Sequence, residues 1–188
     1  MAVLCGLAGC GVLVSYVTAG SASDGANTGV TRPAGAAGQK LTDYQGPWWT
    51  WAATEPPETN PVGDLTGEHC GRNQLDDVWF LAGTFGGEVT RRCSVPEGTA
   101  ILFPVINLFS GEPNDCADFM SVATGGASLN GDEQPLDRID AETIVFTAAP
   151  DNVFELDPDT YEATACGLWV QIAALPAGQH ELQIRGRS

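Results

Sequence analysis

Beyond Cys70 the chain is a succession of short apolar runs, each closed by glycine, proline or an Asn-Gly pair, and this punctuation confines it to strands joined by turns. Residues 78–82 read as a buried strand, Gly86-Gly87 as a turn and residues 88–94 as a strand with a polar face, so the two strands are expected to form a hairpin. Val95-Pro96-Glu97-Gly98 places proline and glycine where a type I turn favours them. Residues 99–107 form the most apolar strand, and Pro104, which has no N–H to give to a ladder, marks a bulge or an edge within it. Asn114 and Asp115 can cap a helix through about Ala123, with Phe119, Met120 and Ala123 on one face. Ala127-Ser128-Leu129 runs into Asn130-Gly131, a hairpin signal, and residues 142–147, 165–173 and 179–184 supply three further strands. Short strands at this spacing, with one helical excursion, predict a mainly all-β fold: an antiparallel β-sandwich of jelly-roll type with one short helix. Its core is expected to contain Val78, Phe80, Ile101, Phe103, Val105, Ile144, Phe146, Trp169 and Ile172, sharing one face.

Composition removes other classes. The 23 glycines and 12 prolines among 188 residues, with 17% charged, exclude a helical bundle or coiled coil. Eight basic residues against 24 acidic ones give a formal charge of -16, and Lys40 is the single lysine, so a phosphate backbone is repelled and nucleic acid is not a partner.

The N-terminal end reads as an address. Residues 2–19 carry no charge and run into Ala19-Gly20-Ser21-Ala22-Ser23, small residues of the kind signal peptidase accepts, so residues 1–23 are expected to be a signal peptide and the protein to be secreted, extracellular or attached to the cell surface. The segment lacks a positive n-region, which points to a start lying upstream or to truncation. Leu7-Ala8-Gly9-Cys10 also has the form of a lipoprotein box, leaving lipidation of Cys10 open; contact with the membrane is expected only through the signal or such an anchor. Residues 24–40, rich in Gly, Ala, Ser and Thr, cannot bury enough surface to offset ordering and form a flexible linker. About 165 residues remain after the leader, enough for one core, and residues 41–188 are assigned to a single domain. Four cysteines stay with it. Of the three pairings open to them, Cys70 with Cys93 is favoured because it brackets the expected hairpin of residues 78–94, which leaves Cys116 with Cys166. Their spacing, and two histidines 111 positions apart, disfavour a zinc site.

No nucleophile elbow, P-loop, dinucleotide fingerprint or EF-hand is present. His180-Glu181 opens like a zincin motif but Ile184 stands in place of the second histidine. The richest stretch chemically is 48–69. In an extended strand Trp49 and Trp51 share one face while Trp48 takes the other, so Trp49 and Trp51 could form a stacking platform for a sugar, rimmed by Asn60, Asp64, Glu68 and His69. The competing reading buries these rings in the core, as large aromatics usually are. Glu55, Glu58, Asp64 and Glu68 could alternatively serve a glycosidase-like secreted hydrolase, which needs two carboxyls facing across a cleft. No cofactor is implied; a structural calcium near Asp115 and Asp118 stays open, although the helix dipole already accounts for those carboxylates.

Several phrases carry a resemblance: Trp48-Trp49-Thr50-Trp51, Asn60-Pro61, Asp64-Leu65-Thr66-Gly67, Val78-Trp79-Phe80-Leu81-Ala82-Gly83-Thr84, Val95-Pro96-Glu97-Gly98 and Leu102-Phe103-Pro104-Val105-Ile106-Asn107. With Ala127-Ser128-Leu129-Asn130-Gly131, Gly167-Leu168-Trp169-Val170 and Leu175-Pro176-Ala177-Gly178-Gln179-His180 the chain resembles, over most of residues 43–184, a family of secreted bacterial and archaeal β-domain proteins without an assigned activity. The resemblance implies no catalytic residues. It does imply one more strand after the His180 strand, reached through a glycine turn, whereas this chain stops at Ser188; an open sheet edge is the expected result. The functional expectation is a binding or surface-structural module whose partner is a carbohydrate or another surface protein.

Overall fold

The computed structural model describes residues 11–20, 40–112 and 114–188, the first stretch as backbone. These contain nine strands, β1 (Gly11–Gly20), β2 (Val78–Phe80), β3 (Val89–Pro96), β4 (Ala100–Ser110), β5 (Thr124–Leu129), β6 (Asp132–Glu133), β7 (Asp137–Thr147), β8 (Thr160–Ile172) and β9 (Gly178–Arg187). Two helices, α1 (Gln45–Ala52) and α2 (Asp115–Val122), accompany them, α1 being entered through a 3-10 turn at Leu41–Tyr44. A five-stranded sheet in the order β3-β1-β9-β5-β6 and a four-stranded sheet in the order β2-β4-β8-β7 form the sandwich. Most ladders are antiparallel, but β1 runs parallel to β3 and β2 parallel to β4.

The four-stranded sheet is the middle layer of three. Its inner face contributes Ile101, Phe103, Val105, Leu168, Val170 and Ile172, which pack against Cys93, Val95, Ala127, Leu182 and Ile184 of the five-stranded sheet. Its other face carries Val78, Phe80, Leu102, Phe109, Ile144, Phe146 and Trp169 and is roofed by Tyr44, Trp48, Trp49 and Trp51. All nine core residues named from the sequence are buried. They do not share one face, because β4 has no solvent side: every residue of Ala100–Ser110 is buried. A register shift between Pro104 and Ile106 turns consecutive Val105 and Ile106 toward the same core, the bulge that Pro104 announced.

The expected hairpin of residues 78–94 does not form. β2 joins β4 in one sheet while β3 lies in the other, so residues 81–88 cross between layers. The disulfides are nevertheless Cys70–Cys93 and Cys116–Cys166, with Cα atoms 5.9 Å and 5.8 Å apart. Rather than closing a hairpin, the first fastens the long loop after α1 to β3, and the second fastens α2 to β8. Asn130 and Gly131 both have positive φ, 52° and 90°, as the two-residue turn between β5 and β6 requires.

Besides the helix read from the sequence at residues 114–123, α1 stands where a strand of alternating tryptophans was expected. Pro47 suits the first turn of a helix, and this one is buried on nearly every side, so it shows no polar stripe. It lies along the free edge of β7: the Thr147 N–H donates to Thr50 Oγ1, and Gly46 approaches so closely that a Cβ there would sit 2.5 Å from the Val145 carbonyl oxygen. The helix thereby covers an edge strand that would otherwise be open to other chains.

Candidate functional site

The helical conformation of residues 45–52 removes the stacking platform. Trp48 and Trp49 are 0% exposed and Trp51 is 4% exposed. Trp48 packs edge-on to Trp49 and to Trp169, with ring centroids 5.0 Å and 5.7 Å away, and its Nε1–H donates to the Leu81 carbonyl at 2.9 Å. The Trp51 Nε1–H donates to the Arg72 carbonyl at 2.7 Å, so this ring anchors the following loop. Trp49 lies against Phe109 and Phe154, and its Nε1–H finds no acceptor among the described residues. Trp49 and Trp51 are therefore core residues, not a ligand face.

Asn60 is buried too. Its Nδ2 donates to the carbonyls of Ala52 and Glu55 while its Oδ1 accepts the Val62 N–H, three bonds that fold the chain back under α1. Asp64 accepts the N–H groups of Thr66 and His69 and the Thr66 hydroxyl. Partial burial pushes its carboxyl up, but these donors outweigh that and hold it below the usual carboxylate range. Glu55 accepts from Thr59, Asn73 and Arg72; the Thr59 hydroxyl is the largest of the influences that keep its pKa low. A general acid needs the opposite shift. These two carboxylates are spent on holding the loop, and Glu58 and Glu68 lie exposed on its surface. His69 is half-buried beside Cys70, its backbone bound to Asp64.

The residue that sequence reading missed is Arg91. Its guanidinium is buried under the loop, donating from Nη1 to the carbonyls of Ala82 and Gly83 and from Nη2 to that of Val62, and burial pulls its pKa down to about 10 against the opposing pull of Asp64. The signal was available, since Arg91 shares strand parity with Cys93 and Val95, both inward. Beside it, Trp51, Phe80 and the Cys70–Cys93 pair enclose a cavity of about 10 Å³, far below the several hundred Å³ of a ligand pocket. His180 in β9 bonds Pro176 O through Nε2, which must therefore carry the proton, and receives the Asn130 amide at Nδ1. Asp115 is engaged by the Ser110 hydroxyl, and among the described residues no three His, Cys, Asp or Glu side chains converge as a metal set.

What the fold does assemble is a strand-lined slot. β1 lies between β3 and β9, level with β3 from Leu13 and Val89 to Gly20 and Pro96, and with β9 from Gly11 and Gly186 to Ala19 and Gly178. The stretch expected to leave as a leader thus supplies the second strand of the five-stranded sheet, covering the β9 edge expected to be open. The rest of the expected leader, including the Cys10 box, and residues 24–39 of the expected linker lie outside the described residues. Among the described residues no helix is long and apolar enough to cross a membrane. No protein-family model matches the chain, and no curated protein or solved structure is significantly similar to it.

Proposed function

We propose that this chain is an exported β-sandwich module that binds another component of the cell surface or its surroundings and performs no catalysis. The observation that carries the reading is the placement of the disulfides: each holds an element lying outside the two sheets, the loop after α1 or α2, so the fold draws on an oxidising compartment for its shape. The acidic surface, at -16 overall, keeps such a protein soluble and selects against polyanions. Burial of Trp49 and Trp51 argues against sugar stacking as the binding mode, which leaves a protein surface as the partner. The resemblance read from the motifs to secreted β-domain proteins of unassigned activity agrees with this.

Differential alkylation of producing cells, combined with fractionation, tests the proposal. Cys70, Cys93, Cys116 and Cys166 should resist labelling until reduced, and the protein should partition outside the cytoplasm and bind isolated cell envelopes; free thiols on cytoplasmic protein refute it.

A further inference from the structure

β1 sits between two long strands of the five-stranded sheet. β3 and β9 have no ladder with one another, so β1 alone joins β3 to the rest of its sheet. It is also the strand connected to the domain through the long stretch 21–39, and it coincides with a segment that has the composition of an export leader. Cleavage there cuts its link to the domain, and its departure leaves two long edges facing each other. In an acidic molecule these edges carry basic residues, Arg92 on β3 and Arg185 with Arg187 on β9 against Glu181, whereas Arg91 turns inward to the carbonyls of Val62, Ala82 and Gly83. Arg92, Arg185 and Arg187 are exposed, while β1 between them is uncharged.

We propose that the gap between β3 and β9 is a strand-acceptor site, filled by Gly11–Gly20 while that segment remains and, once it leaves, by an extended segment of a partner protein that carries a carboxylate level with Arg185. This deepens the binding-module reading and rests on it. The register defines the occupant. It runs antiparallel to β9 and parallel to β3 over eight or nine residues. Apolar residues belong at the positions of Leu13 and Val17, level with the inward residues Val89 and Ile184 and with Cys93. A carboxylate belongs at the position of Val12, level with Arg185, while the position of Tyr16 lies between Arg92 and Glu181 and takes an uncharged residue. Main-chain bonds to both edges give affinity, and the alternate side chains give specificity.

The test uses the full chain with a site-specific protease sequence placed within 24–38 and cut after folding, so that β1 stays in place by its ladders alone. Labelled peptides are then added: the Gly11–Gly20 sequence, the same sequence with Val12→Glu, and one with Val12→Lys. Anisotropy follows displacement, and hydrogen exchange follows the amides of 89–96 and 178–186. The acidic peptide should displace β1 at a concentration roughly 1.5- to 5-fold lower than the parent sequence, keep both edges protected, and lose its advantage in an Arg185→Gln variant. Equal or better binding of the lysine peptide overturns the proposal, as does binding without protection of both edges, or a dimer formed by strand exchange between copies. If no peptide enters the slot while the exported protein still binds envelopes, the acceptor site is wrong and the module reading stands; reduced, cytoplasmic protein that exchanges peptides normally would instead remove the module reading.

Discussion

Trp48 and Trp49 make an internally controlled experiment, because they are neighbours on one helix, equally buried, and differ in whether the indole N–H is bonded. Trimming either ring to phenylalanine removes about 40 Å³, which at ~24 cal/mol per Å³ of residual cavity costs about 1 kcal/mol. Lost apolar transfer adds about 1 kcal/mol more. There the two sites part. Trp48→Phe deletes the donor that satisfies the buried Leu81 carbonyl, adding roughly 1–2 kcal/mol, whereas Trp49→Phe removes a buried N–H without an acceptor and recovers roughly the same amount. Trp48→Phe should therefore cost about 3–4 kcal/mol and Trp49→Phe about 0–1 kcal/mol, by the sums of those contributions. Urea denaturation followed by far-UV circular dichroism, with the disulfides intact, reads the difference as a change of midpoint at constant slope. Two variants within about 0.5 kcal/mol of each other, or in the reverse order, would mean that the bonding of the rings is not as described, since that is well inside the gap expected from one satisfied and one orphaned donor.

Other outcomes follow from neighbouring features. Gly46→Ala, whose methyl would sit 2.5 Å from the Val145 carbonyl oxygen, must push α1 off β7 and should cost about 1–3 kcal/mol; a thermal melt unchanged from the parent would show that the helix does not touch that edge. The folded-state pKa values of Glu55 and Asp64 are depressed, so their stabilisation is complete above the unfolded carboxylate pKa and is lost as pH falls through the folded values; stability should decline below about pH 4.5, and Glu55→Gln should flatten part of that decline in pH-dependent melts. Replacing Cys70 and Cys93 together by alanine opens a 23-residue span and should cost about 3 kcal/mol, against about 4 kcal/mol for Cys116 and Cys166 with their 50-residue span, by the chain-entropy estimate; calorimetry giving the reverse order would place the dominant effect in the native state.

The strands were legible where a single force wrote them. Asn130-Gly131 demands positive φ and gave away its hairpin, and Pro104 had to sit at an irregularity. Strand pairing was less visible, because β2 and β3 have the local pattern of a hairpin and only the packing of Trp79 and Phe80 on opposite faces of a central sheet assigns them to different layers. α1 was hidden because a helix buried all round has no polar face, and Gly46 and Pro47 depress its helical signature. The candidate site failed on the same element: the alternation that put Trp49 outside presumes an extended chain, and in a helix Trp48, Trp49 and Trp51 all reach the core. Arg91 was passed over, although its parity with Cys93 and Val95 points it inward.

The burial of β4 on both faces also bears on the life of the chain before it folds. Eleven consecutive uncharged residues, nearly all apolar, are safe only between two layers; in an unfolded chain the same stretch is a template for intermolecular β-stacking. Pro104 interrupts that template with a residue that cannot donate to a growing fibril ladder, at a place where the finished strand has a bulge to absorb it. A proline that is an irregularity in the folded sandwich thus acts as a gatekeeper against aggregation on the way to it.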